Sequence, residues 1–448
     1  MRIIFLRLNM FEHIATDAMK PILFGIIRQL TPEQHEILFL DERAERLPET
    51  LDCDILAMSV ETYTAKRAYI LAKKYRRPGM TIVMGGFHAA VCAKEMLRYA
   101  DTVLIGDAEE TWRPFLRDCE QKSPKAIYSG GERSGLIPAA DVPGVYRHRY
   151  HGIGVCQISR GCKFNCDFCS IKTMYHCVRR KSPEAVAAEL RAMKERVLFF
   201  ADDNLFYDRN SAMALLRAIT PLRKRWACQI SMDAARDDEL LAAMRKAGCF
   251  LVLMGFESLN ADSLAEMHKS ANIVQEYEAL IRRIYSHGLM IYGTFVLGCD
   301  SDEPDVFEKT FDFAVRNHIA VTNFNPLIPM PGTGVYKRME QENRLRYAHW
   351  WLSDTYRYGE TAFLPKHMTP EELQAGCLSM RTRFYSLSCV LKRLFGAPHH
   401  LYLRNIGVFL LANIISGREI QAKQGQLLGG VLGDEADADQ TEYRAPGA

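Results

Sequence analysis

Short apolar runs alternate with amphipathic stretches through the first 120 residues. RIIFLRL (2–8), EILFL (36–40), DILAMSV (54–60), MTIVMGG (80–86) and DTVLIG (101–106) are rich in Ile, Val, Leu and Met. Parallel strands covered on both faces need such near-continuous apolar composition. Between them AMKPILFGIIRQL, TAKRAYILAKKYR and AVCAKEMLRYA carry apolar residues at helical spacing, and AEETWRPFLRDC supplies a last helix. Five βα units predict a doubly wound α/β domain over 1–120, with its ligand at the carboxyl ends of the strands.

Residues 121–150 are rich in Pro, Gly and Ser without a period, and read as a linker. A second alternating region covers 151–340. RVLFFADD, WACQISMD, FLVLMGFE, LMIYGTFVLG and AVTNFNPLI read as strands, and one more leads into a cysteine-rich loop. Helices such as DDELLAAMRKAG and NIVQEYEALIRRIYSHG separate them. The pattern predicts a partial (β/α)6 barrel whose site lies at the strand C-termini. Residues 341–432 read as a helical, aromatic and basic region, and 433–448 as a flexible tail.

Composition narrows the class. With 48% apolar and 25% charged residues the chain is neither disordered nor fibrous. Its net charge of +3, from 57 basic and 54 acidic residues, gives no nucleic-acid footprint. The N-terminus has no secretory h-region, and the apolar run IGVFLLANIIS (406–416) is too short to span a bilayer. The expectation is a cytoplasmic protein. The basic, apolar run from Arg381 to Ile415 fits either peripheral contact with a membrane surface or a buried core helix.

Thirteen cysteines in such a chain argue against a disulfide framework. Most are scattered and read as small buried hydrophobes. Cys156, Cys162, Cys166, Cys169 and Cys177 instead fall close together. Cys162, Cys166 and Cys169 form C-x3-C-x2-C in QISRGCKFNCDFCSIK. A structural zinc needs four ligands, and Cys156, Cys177 or His176 could complete that set. Three thiolates on one loop suit a [4Fe–4S] cluster better, with three irons held and the fourth open to substrate.

With Ser159-Arg160-Gly161 before it and Phe168 inside it, this loop resembles the signature of the radical S-adenosylmethionine (SAM) superfamily. The resemblance implies that the open iron chelates SAM, and that one electron cleaves it to methionine and a 5′-deoxyadenosyl radical. FFADDNLF (199–206) resembles the family segment after the second strand, which marks Asp202, Asp203 and Asn204 for SAM. MGFES (254–258) resembles the fourth-strand segment, with Glu257 and Ser258 near the ribose and carboxylate. GTFVLGCDSDE (293–303), with Gly298, resembles the segment against adenine, and NPLIPMPGTGVY (325–336) the sixth strand and its exit loop. Read from the residues alone, Asp202 and Asp203 could instead cap a helix and Asn204 stabilise a turn. Ser231 and Asp233, at the end of the third strand, are further candidates for the substrate cavity.

The N-terminal domain has neither G-x-G-x-x-G nor a P-loop. Ahead of such a barrel it resembles the cobalamin-binding domain of the B12-dependent subfamily, through MSVETYTAKRAYILAKKYR, VMGGFHAA and LIGDAEETWRPFLRD. The resemblance implies Ser59 and Thr62 near the nucleotide tail, Gly85 and Gly86 allowing close backbone approach, and His88 at the corrin edge or capping the next helix. The D-x-H-x-x-G loop that would ligate cobalt is absent, since His13 lacks the flanking Asp and Gly. WWLSDTYRYGETAFLPKHMTPEEL reads as an aromatic lid over the barrel mouth or as packing against its wall, and resembles the helical tail of hopanoid-type members.

These resemblances imply a cobalamin-dependent radical SAM enzyme that methylates an unactivated carbon of a small-molecule or lipid substrate. Its cofactors would be a [4Fe–4S] cluster, SAM and cobalamin, and its electron donor a flavodoxin or ferredoxin. Two alternatives stand beside it. One is radical rearrangement, cyclisation or C–C bond formation, with the first domain only docking substrate. The other is a non-catalytic metal-binding protein. Substrate and oligomeric state are not legible in the sequence.

Overall fold

The computed structural model describes residues 1–433 other than 13, 16–17, 132–134, 143–149 and 151. His13 and the segment 434–448, read above as most of a tail, lie outside the described residues. The first unit comprises β1 (Arg2–Arg7), α1 (Ile22–Leu30), β2 (Glu36–Asp41), β3 (Ile55–Ser59), α2 (Ala65–Tyr75), β4 (Thr81–Gly85), α3 (Ala89–Met96), β5 (Thr102–Ile105), α4 (Ala108–Glu120) and β6 (Ile127–Ser129). Its strands form one parallel sheet in the order β2-β1-β3-β4-β5-β6. The chain reverses direction across the sheet between β1 and β3, which opens a crevice at their carboxyl ends. Ile55, Leu56, Ala57 and Met58 are all buried, as two covered faces require. β6 corrects the linker reading. Ile127-Tyr128-Ser129 pairs with β5 as an edge strand, too short to show a period in its Pro/Gly-rich surroundings.

The second unit begins with β7 (Ile153–Cys156), β8 (Ser159–Arg160), α5 (Ile171–Met174) and β9 (Arg179–Arg180). It continues through α6 (Pro183–Ala192), β10 (Val197–Phe200), α7 (Arg209–Ile219), β11 (Arg225–Ile230), α8 (Met232–Ala235), α9 (Asp238–Lys246), β12 (Cys249–Glu257), α10 (Ala261–Glu266), α11 (Tyr277–Ser286), β13 (Met290–Leu297), α12 (Val306–Arg316) and β14 (Val321–Pro326). Its sheet, β14-β13-β12-β11-β10-β7, is all parallel and follows chain order, the arrangement of a six-stranded partial barrel. β8 and β9 form a separate antiparallel ribbon that frames the cysteine loop.

α13 (Gly334–Gln341), α14 (Pro370–Phe384), α15 (Leu387–Gly396) and α16 (Leu403–Lys423) complete the chain. The Thr369/Glu372 capping box with Pro370 at the first turn starts α14. The aromatic segment divides between the two units: Phe363, Met368 and Leu373 pack into the barrel core. Trp350, Trp351 and Tyr356 join the core of the first unit, where Trp351 donates to Glu95 and Lys66 donates to the Ser353 carbonyl at 2.7 Å.

Candidate active site

The cysteine loop lies over the carboxyl ends of the barrel strands, and a cavity of ≈ 420 Å³ opens beneath it. Cys162, Cys166 and Cys169 line it together with Asp202, Asp203, Asn204, Ser231 and Glu257. The loop is held by the residues that follow β10. Asp202 is fully enclosed and accepts from Ile158 N at 3.1 Å and from Ser159 Oγ at 2.7 Å, while Asp203 accepts from Gly161 N at 2.9 Å. Burial pushes the Asp202 carboxyl up to about 7 and raises Asp203 also. Asn204 donates to Ser231 Oγ at 3.1 Å, and Asp233 pairs with Lys163 of the loop.

Glu257 ends β12 in a left-handed conformation (φ 63), where the register against β13 shifts. Its Oε1 lies 2.6 Å from Lys269 Nζ. Burial opposes the charge on Lys269, but the Glu257 carboxylate and the Cys166 thiol group outweigh it and push the ammonium up to about 12. Asn272 anchors the same corner by donating to Gly255 O at 2.8 Å and Phe256 O at 2.9 Å. Lys269 and Asn272 are site residues that sequence reasoning missed. Their only signal was HKSAN lying close behind MGFES, and that stretch also reads as a solvated helix end.

Two residues assigned to SAM by resemblance lie elsewhere. Ser258 is buried and accepts from Asn260 N at 3.0 Å, because the left-handed turn at Glu257 rotates the next side chain toward α10. Gly298 (φ 90) donates to Asp302 Oδ2 at 2.8 Å, and a Cβ there would run into Leu373 of α14. Its lack of a side chain serves helix packing.

A second cavity, ≈ 270 Å³, sits in the crevice of the first sheet. Phe5, Ala57, Val83, Leu104 and Trp112 form its apolar floor, and Ser59, Gly85 and Gly86 line it. Arg160, Met174 and Tyr175, which flank the cysteine loop, close it from the barrel side. Arg160 also bonds to Asp107 at 3.0 Å and Glu109 at 2.9 Å, tying the loop to the first unit. Gly86 (φ 107) is required where it stands, since a Cβ would lie 2.6 Å from Val60 O. Thr62 and His88 do not line the cavity. They bond to each other at 3.2 Å, and His88, fully buried at the start of α3 without a side-chain cap, bonds to Glu95 at 3.0 Å. Among the described residues, no histidine lines either cavity.

The donor set bears on the choice of metal. One zinc with Zn–S bonds of about 2.3 Å draws its thiolates to about 3.8 Å apart. Among the described residues the loop's three Sγ atoms form no set within 4.8 Å, whereas His88, Cys92 and Glu95 do. The wider spacing suits three irons held separately. Cys156 belongs to the barrel core and Cys177 is exposed, so neither joins the set lining the cavity.

Comparison with known proteins decides the family. Residues 156–314 match the Radical SAM superfamily model. Residues 156–314 form a radical SAM domain. The radical SAM chain is 29% identical over 395 residues to bacteriochlorophyllide d C-12(1)-methyltransferase of Chlorobaculum tepidum, covering 84% of this chain and 85% of that one. It is 24% identical to hopanoid C-2 methylase of Rhodopseudomonas palustris, covering 84% and 73%. In fold, it superposes on the radical SAM methyltransferase TsrM of Kitasatospora setae, solved with cobalamin and a [4Fe–4S] cluster, with a TM-score of 0.60 at 15% identity over 76% of this chain and 75% of that one. No described helix is long and apolar enough to cross a membrane.

Proposed function

We propose that this radical SAM enzyme is a cobalamin-dependent C-methyltransferase acting on an unactivated carbon of a bulky, polycyclic small molecule or lipid. One observation carries the reading: the crevice of the first sheet and the barrel cavity meet the same loop, Arg160, Met174 and Tyr175 facing one and the three cysteines the other. When bound, the reduced cluster supplies the electron that cleaves SAM to methionine and a 5′-deoxyadenosyl radical, and the corrinoid supplies the methyl group.

The chain's residues divide the remaining work. Cys162, Cys166 and Cys169 hold three irons. Asn204 and Glu257 present an amide and a carboxylate to the polar groups of SAM, with Lys269 paired to Glu257. Asp202 and Asp203 act through the loop backbone, fixing where the thiolates point. In the crevice the apolar floor, with Ser59, Gly85 and Gly86 beside it, would hold the corrinoid. A small flavodoxin or ferredoxin supplies electrons.

The names of the two relatives, acting on a bacteriochlorophyllide and a hopanoid, support methylation and the substrate class. Anaerobic purification from a cobalamin-supplied host, with metal analysis, tests the reading. About four irons and about one cobalt per chain are expected. Iron without cobalt after reconstitution would reduce the first unit to a docking module, and zinc in place of iron would sink the reading.

A further inference from the structure

α16 is built inside out for a helix in water. The side chains it turns into the protein include Asn405 and Asn413, both buried, with Phe409 between them. Asn413 bonds to Arg393 at 2.9 Å and to Ala320 O at 3.1 Å, and Asn405 to His399 O at 2.9 Å. At 100° per residue the opposite face carries Leu403, Leu410, Leu411 and Ile414, of which Leu403 is 98% exposed and Leu411 and Ile414 are 52%. The exposed apolar surface continues through Tyr402 and Leu401 to Phe395 of α15, which is 67% exposed. Soluble proteins rarely leave such a continuous patch uncovered.

Charge says what covers it. Between Glu372 and Glu419 there is no acidic residue, in a chain where 54 of 448 residues are acidic. The same stretch holds Arg381, Arg383, Lys392, Arg393, Arg404 and Arg418, and Lys392, Arg404 and Arg418 are exposed. Arg225 and Arg245, on the barrel, gather at Arg404. Arg225 donates to the Arg404 carbonyl, and Arg245 lies with Tyr402 against Gly288. Burial first and then the charge of Arg404 hold both guanidiniums below their usual range. Among the described residues none of the three arginines forms a salt bridge. A cationic cluster at the head of an apolar face matches the phosphate and acyl layers of a lipid surface. A second copy of this chain would bring like charges together.

We propose that this face docks the protein on an anionic bilayer. Leu403, Leu411 and Ile414 enter the boundary between headgroups and acyl chains, and Arg225, Arg245 and Arg404 meet lipid phosphates. α16 lies along the surface without crossing it.

The test is cosedimentation of the full-length anaerobic holoprotein with phosphatidylglycerol-containing phosphatidylcholine vesicles, against vesicles of phosphatidylcholine alone. The wild type should partition to the anionic vesicles and be released by salt. Leu403→Asp with Leu411→Asp should weaken partition by about tenfold or more, at an unchanged unfolding midpoint. Arg404→Glu, which leaves the apolar face intact, should weaken it and flatten its salt dependence. Equal partition of wild type and double variant would overturn the proposal, as would equal binding to both vesicle types. So would a concentration-dependent wild-type dimer, seen by sedimentation velocity, that the double variant loses.

Discussion

The Lys269 ammonium stands 2.6 Å from Glu257 Oε1, on the wall of the cavity that also holds Cys166 and Cys169. Glu257 reaches it from a left-handed backbone, a conformation that costs on the order of 1–3 kcal/mol and persists where the surroundings over-determine it. Gly255 leaves the room, because a Cβ there would collide with the Glu257 carboxylate and crowd Lys269. Strain, a bulge and an enclosed ion pair thus converge on one carboxylate facing the three thiols.

Lys269→Met would leave that carboxylate enclosed and unpaired. The expected cost is about 1–3 kcal/mol, visible as a lower unfolding midpoint, together with a raised KM for SAM. Lys269→Arg keeps the charge and should recover most of both. If Lys269→Met left the KM for SAM at the wild-type value, the pair would be structural only.

Cys166→Ala removes one of the three thiols that line the barrel cavity. Iron content and reductive SAM cleavage should fall together, to background for cleavage, while cobalt retention in the separate crevice is unchanged. Iron analysis, cobalt analysis and chromatographic detection of 5′-deoxyadenosine check it in one preparation. Full cleavage by the variant would remove this cysteine from the cluster.

Asp202 makes stability depend on pH. Its folded value, about 7, lies above the ordinary carboxylate value because burial disfavours the charge. The folded state therefore binds the proton more tightly than the unfolded state. That stabilisation is complete below the unfolded pKa and is lost as pH rises through about 7, a total of about 4 kcal/mol. Thermal unfolding midpoints should fall between about pH 4 and pH 7 in the wild type, and this component should vanish in Asp202→Asn. An equal pH slope in the variant would assign the dependence to other groups.

Strands and cysteines were legible where one physical demand dominated. β3 and β12 bury nearly every side chain, so their composition announces them. The cysteine loop was legible because three thiols at short spacing have few other uses. What escaped depends on contacts distant in sequence. β6 is three residues long and makes sense only beside β5. Lys269 is an ordinary polar residue until the fold sets it against Glu257, 12 positions back. Ser258 and Gly298, assigned by resemblance, stand outside the cavity lining, where the left-handed turn at Glu257 and the packing of Leu373 place them. His88 read as a corrin-edge contact or a helix cap, and the fold engages both its nitrogens, with Thr62 and with Glu95.

Arg160 and Arg179, on the ribbon framing the cysteine loop, converge on Asp107 at 3.0 Å and 2.5 Å, and all three are largely buried. Asp107 belongs to the first sheet's crevice, so this junction couples the two cavities. Asp107→Asn would leave two enclosed guanidiniums with less compensation, which costs up to about 3–5 kcal/mol when a buried pair is broken. Because Glu109 also pairs with Arg160, the loss should lie toward the lower end. Cobalt retention should fall, while the cluster's thiolates, held separately through Asp202 and Asp203, should keep their iron. Combining Asp107→Asn with Arg160→Gln should cost less than the sum of the two, since each change removes part of the same interaction. Strict additivity, with cobalt content unchanged, would mean that the cavities are held together elsewhere, through the Trp351–Glu95 and Lys66–Ser353 contacts of the aromatic segment.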